Sequence, residues 1–105
     1  LSINVLKPDG PIFFGSVEHM LKKYSSADNH HTLIIDMGSV EMVDLTGIYA
    51  LEDLITTLQK KNIEVYITQI DSKIENVFED TGFIETIGRD YFSNDPHTIF
   101  NAIDS

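Results

Sequence analysis

Leu33-Ile34-Ile35-Asp36-Met37-Gly38-Ser39-Val40-Glu41-Met42-Val43-Asp44-Leu45-Thr46-Gly47 is the stretch on which the fold turns. It opens with a continuous apolar run, the mark of a central strand covered on both faces. It ends where a helix starts: from Leu45 to Lys61 the apolar positions Ile48, Leu51, Leu54, Ile55 and Leu58 draw one stripe. Asp44 reads as the N-cap of that helix, accepting hydrogen bonds from the amides of Thr46 and Gly47. Lys60 and Lys61 stand in its last turn, where the macrodipole favours cations. A strand feeding a helix through such a loop is the joint of an α/β protein. In open parallel sheets, ligands and partners gather at the carboxyl ends of the strands. Met37, Gly38, Ser39, Glu41, Met42, Asp44, Leu45, Thr46 and Gly47, with Tyr49 and its neighbours Ile48 and Glu52, are therefore the candidate partner-binding surface. The same residues also describe a plain structural device, a capped helix behind a tight turn.

Outward from this joint, helical patterns alternate with short β-branched runs, with no internal repeat and no linker. Ile3 and Val5 alternate with polar residues ahead of the turn signal Pro8-Asp9-Gly10, and Ile12-Phe13-Phe14 follows at once. The short connection predicts an antiparallel hairpin. Val17, Met20, Leu21 and Tyr24 predict an amphipathic helix from Ser16 to about residue 26, closed by the polar stretch Ser25 to His31. Ile63, Val65 and Ile67 alternate as a strand. Ser72 and Glu75 form a capping-box pattern ahead of Ile74, Val77 and Phe78, and Gly82 supplies the stop. A strand is expected around Phe83 to Thr86. Asp95-Pro96 then opens a last helix with Ile99, Phe100 and Ile103 on its buried face. The string β-β-α-β-α-β-α-β-α predicts an α/β fold: a mixed, mostly parallel sheet of four to five strands with about four helices.

At 105 residues the chain is one domain, 1–105, and it contains no cysteine, which excludes disulfides, thiolate metal sites and thiol nucleophiles. A reducing compartment fits this composition. Seventeen acidic residues against seven basic ones give a formal charge of -10. No basic cluster is present to neutralise phosphates, so no nucleic-acid partner is expected, and an anionic lipid surface would repel the chain. No apolar run approaches the roughly 18 residues of a spanning helix, so this segment does not insert directly in a membrane. His19, His30, His31 and His97 lack metal-ligand spacing with carboxylates, so no metal is expected. Nucleophile-elbow, phosphate-loop and dinucleotide fingerprints are missing, and no cofactor is expected. Glu41, Asp44, Glu52 and Asp53 read as capping and dipole-compensating groups rather than an acid–base pair. The chain opens at Leu1 and runs almost directly into a strand pattern, which reads as a piece of a longer protein.

Val43-Asp44-Leu45-Thr46-Gly47, followed by Ile48 to Leu54, resembles the signature loop and helix of the STAS family, shared by sulfate transporters and anti-sigma-factor antagonists. The order of elements agrees with that fold over nearly the whole chain. Gly10-Pro11-Ile12-Phe13-Phe14-Gly15 looks like the second strand of STAS domains attached to SulP transporters. In the antagonists the residue after the loop aspartate is the serine that a kinase phosphorylates. Here it is Leu45, which has no hydroxyl, and Thr46 is left as a structural, hydrogen-bonding residue. The resemblance implies a non-catalytic regulatory domain of a SulP-type anion transporter on the cytoplasmic side of the cell membrane. Its implied partners are the transmembrane part of the same protein and cytoplasmic proteins. A free-standing antagonist that binds a kinase-like anti-sigma factor is the alternative.

Overall fold

Short β-branched runs become strands, and stripes at three- and four-residue spacing become helices. The order is β1 (Ile3–Leu6), β2 (Gly10–Ile12), α1 (Phe14–Ser25), β3 (Thr32–Asp36), β4 (Val40–Val43), α2 (Leu45–Lys60), β5 (Glu64–Thr68), α3 (Ser72–Asp80), α4 (Phe83–Ile87) and a 3-10 turn at Arg89–Tyr91. The computed structural model describes residues 3–25, 32–95, 97–99 and 101.

β3 lies between β1 and β5 and pairs with both in parallel, Leu33 standing opposite Asn4 on one side and Val65 on the other. That central position explains the run Leu33-Ile34-Ile35, buried on both faces. On one face Leu33, Ile35, Val65 and Ile67 join Leu51, Ile55, Phe78 and Phe83 in the main core. On the other, Ile34 and Tyr66 pack with Ile99 from the C-terminal helical residues and with Tyr91. That last helix is capped as the sequence indicates: the Asp95 carboxylate accepts from the His97 amide at 3.0 Å and the Thr98 hydroxyl at 3.2 Å.

The hairpin expected at the start does not form. β1 pairs with β3, whereas β2 pairs in parallel with β4 as a separate two-stranded sheet. The Lys7–Asp9 connection carries the chain from one sheet to the other instead of folding it back. Gly10 takes the positive φ of 76° that this redirection needs. β4 itself was not anticipated from the sequence.

Phe83 to Thr86, expected as a strand, lies instead in the helix α4. Gly82 (φ 77°) ends α3 and turns the chain, and Phe83, Ile84 and Ile87 all face inward. A four-residue apolar run does not distinguish a strand from a buried helical turn, and packing decides: Phe83 stacks on Phe78 with ring centroids 4.4 Å apart. Two helix starts also shift. α1 begins at Phe14, with Ser16 accepting the Phe13 amide from inside the first turn. α3 is capped by the carboxylate of Asp71, which accepts from Ile74 at 2.8 Å, rather than by Ser72. The side chains of Leu21, Tyr24, Phe100 and Ile103, and the whole of His30, His31 and Pro96, lie outside the described residues.

Candidate functional site

The carboxyl ends of β3 and β5 meet at Met37, whose amide donates to the Thr68 carbonyl at 2.9 Å and prolongs the ladder past Asp36. The chain then reverses: the Val40 amide returns to the Met37 carbonyl at 3.1 Å, while the Asp36 carboxylate accepts from Gly38 at 2.8 Å. Gln69, just beyond β5, holds a left-handed backbone (φ 61°) and passes beside Gly38. This places a tight turn directly on the sheet's carboxyl edge and sends β4 across to β2.

At the far end of β4 the chain enters α2. Asp44 is extended (φ -85°, ψ 170°) and its Oδ1 accepts from the Gly47 amide at 2.7 Å. The second donor is the hydroxyl of Thr46, at 2.9 Å, rather than the Thr46 amide that the sequence suggested. Both donors converge on the same Oδ1, and the chain's own negative charge stands at the helix N-terminus. A phosphate or sulfate approaching the same amides meets a like charge. The Asp44 amide in turn donates to the Ile12 carbonyl at 3.1 Å, tying the start of α2 to the end of β2.

The candidate surface residues divide by burial. Gly38, Ser39, Glu41, Met42, Leu45, Thr46 and Tyr49 are exposed, and Asp44 is half-buried. Met37, at 1% exposure, and Gly47 are in the interior, so they shape the surface from beneath without presenting a side chain to it. Ile48 likewise faces the core and Glu52 is half-buried. Leu45 and Tyr49, one helical turn apart, are 53% and 59% exposed, which is high for apolar and aromatic side chains.

Phe13 and Phe14 join this set, and sequence reasoning missed them. The run Ile12-Phe13-Phe14 reads as a strand, which places both in the sheet. In the fold β2 stops at Ile12 and both rings stand in solvent. Because Ile12 pairs with Val43 and receives the Asp44 amide, Phe13 lies next to the entrance of α2. The available signal was that two adjacent aromatic residues cannot both face one side of a strand. Among the described residues no group of three or more His, Asp or Glu side chains is gathered to hold a metal ion, and no helix is long and apolar enough to cross a membrane.

The STAS domain family matches the chain over residues 2–105. Solute carrier family 26 member 9 of Xenopus tropicalis is 41% identical over 54 residues, which are 51% of this chain and 7% of that protein. The STAS domain of a SulP transporter from Vibrio cholerae superposes with a TM-score of 0.80 at 24% identity, over 97% of this chain and 81% of that one. The murine solute carrier 26 family member A9 anion transporter superposes with a TM-score of 0.83 at 25% identity, over 98% of this chain and 18% of that one. Among the curated relatives it matches first, the chain spans between 7% and 15% of their length.

Proposed function

Because the chain belongs to the STAS domain family, we propose that it serves as a non-catalytic, cytoplasmic regulatory and protein-interaction domain of a SulP-type anion transporter. The observation that carries this reading is the group of apolar side chains around the start of α2. Phe13, Met42, Leu45 and Tyr49 stand exposed beside a helix N-terminus where the Asp44 carboxylate already caps the Gly47 amide and accepts the Thr46 hydroxyl. Such a surface has little to offer a small anion or a reaction. It suits a protein partner, since aromatic and methionine side chains are enriched where protein surfaces meet. Gly38, Ser39, Glu41 and Thr46 supply a polar margin, and Met37 and Gly47 support it from inside.

In this reading the anion pathway lies in a transmembrane part outside these residues, and the domain acts on that part and on cytoplasmic proteins by contact. Leu45 stands where the antagonists carry their phosphorylated serine, so contact here is not switched by a phosphate at that position. The test is to raise an antibody against the domain, separate native cells into membrane and soluble material, and size the protein recognised. A membrane-bound band several-fold heavier than 11.9 kDa is expected. A soluble band near 11.9 kDa overturns the reading and puts the free-standing antagonist in its place.

A further inference from the structure

A second surface, separate from the loop before α2, lies between the two helices that share a layer. α1 and α2 pack against each other, and residues of both line an open groove of about 350 Å³, the size range of built binding clefts. Exposed Phe14, half-buried Ala50 and buried Leu54 are among its lining residues, so much of that lining is apolar. Its rims are charged: Glu18 from α1 and Asp53 from α2 are both exposed carboxylates, while Lys61 closes the end at the C-terminus of α2. From Ala50 to Lys61 the groove follows α2 for about 16 Å at the helical rise, or roughly three turns.

We propose that this groove receives an amphipathic, basic helical segment about three turns long, carried by a partner protein. An apolar stripe spaced at three and four residues fits that apolar lining, as in other helix-in-groove complexes. Lysine or arginine beside that stripe meets Glu18 and Asp53, and an acidic residue at one end meets Lys61. The chain's formal charge of -10 extends the same preference over long range: it draws a basic segment in and repels an acidic one. The ordered rim, two carboxylates and then an ammonium, fixes the direction in which the segment lies.

The experiment uses the chain as it stands, labelled with nitrogen-15, and a synthetic peptide with leucine at alternating three- and four-residue spacing, lysine between the leucines and glutamate at one end. Amide shifts are expected to concentrate at Glu18, Ala50, Asp53 and Leu54, with affinity falling as salt rises. Charge reversal of both rims, Glu18→Lys with Asp53→Lys, is expected to weaken binding by roughly tenfold or more. Val77→Ser, an exposed α3 position outside both this groove and the surface before α2, leaves binding unchanged. Equal binding of a peptide with the same composition in scrambled order overturns the proposal, since attraction without fit needs no groove. So do shifts placed elsewhere, absence of binding, or concentration-dependent shifts at these residues without peptide, which assign the groove to a second copy of the chain.

Discussion

Gly47 and Ile12 are in backbone contact: a Cβ built on Gly47 lies 2.5 Å from the Ile12 carbonyl oxygen and 3.0 Å from its carbonyl carbon. The oxygen is not free to retreat, because it also accepts the Asp44 amide at 3.1 Å. The first turn of α2 therefore rests directly on β2, and this contact sets how the two elements meet at the exposed surface.

Gly47→Ala is accordingly expected to destabilise the domain by about 2–3 kcal/mol, because the methyl forces the helix and strand apart. The substitution gains about 1 kcal/mol of helix propensity, which the clash outweighs. Urea unfolding with an unchanged slope and a lowered midpoint is the expected record. A raised midpoint would mean that β2 gives way at no cost.

Asp44→Ala removes the acceptor of both the Gly47 amide and the Thr46 hydroxyl. The expected loss is about 1–2 kcal/mol, the usual cost of deleting a helix cap. Asp44→Asn keeps an acceptor in place and is expected to restore most of it. Thr46→Val removes only an exposed partner and costs about 1 kcal/mol or less. The three midpoints measured side by side give that order, and an equal loss for Asp44→Asn and Asp44→Ala would sink the capping account.

The sequence made α2 and β3 legible because each announces itself over its whole length: the stripe from Ile48 to Leu58 and the unbroken run Leu33-Ile34-Ile35. β4 was hidden because Val40-Glu41-Met42-Val43 does not alternate; its two ends are buried and its middle is exposed. The hairpin reading failed on a non-local fact, that β1 and β2 belong to different sheets, which a short connection does not disclose. Phe83 to Thr86 failed because a short apolar run satisfies strand and helix alike. Of the candidate site, the cap at Asp44 followed from local chemistry, since capping depends on three neighbouring residues. The burial of Met37 depended on Thr68, thirty-one positions away in the chain, and only the β3–β5 register brings them together.

Met42, Leu45 and Tyr49 are exposed and contribute little to the core. Replacing all three with serine is expected to shift the stability of the isolated chain by no more than about 0.5 kcal/mol per site. In the longer membrane protein proposed above, the same triple change is expected to lower anion flux or delivery to the membrane several-fold through lost partner contact. Thermal unfolding of the domain and flux by the whole protein separate the two effects. A large fall in melting temperature would mark these side chains as structural, and full flux in a normally folded variant would remove the surface from the account.

Tyr66 donates its hydroxyl to Glu64 Oε2 at 3.1 Å and lies under Tyr91, with ring centroids 5.2 Å apart. Burial, then the hydrogen bond to Glu64, then the charge of Glu64 and the presence of Tyr91 push its phenol from the ordinary 10.0 up to about 12. Below pH 10 the phenol is neutral in both folded and unfolded chains, and its ionisation does not bear on stability. Between pH 10 and 12 the unfolded chain releases this proton while the folded chain retains it, so stability is lost as pH rises through that window. Tyr66→Phe removes this part of the alkaline loss, and the difference between the two unfolding profiles isolates it from every other group. The tyrosinate absorbance missing from Tyr66→Phe is expected to belong to a titration centred near 12. If the missing step centres near 10 instead, the hydroxyl is not held by Glu64 beneath Tyr91, and the packing of the sheet's second face must be redrawn.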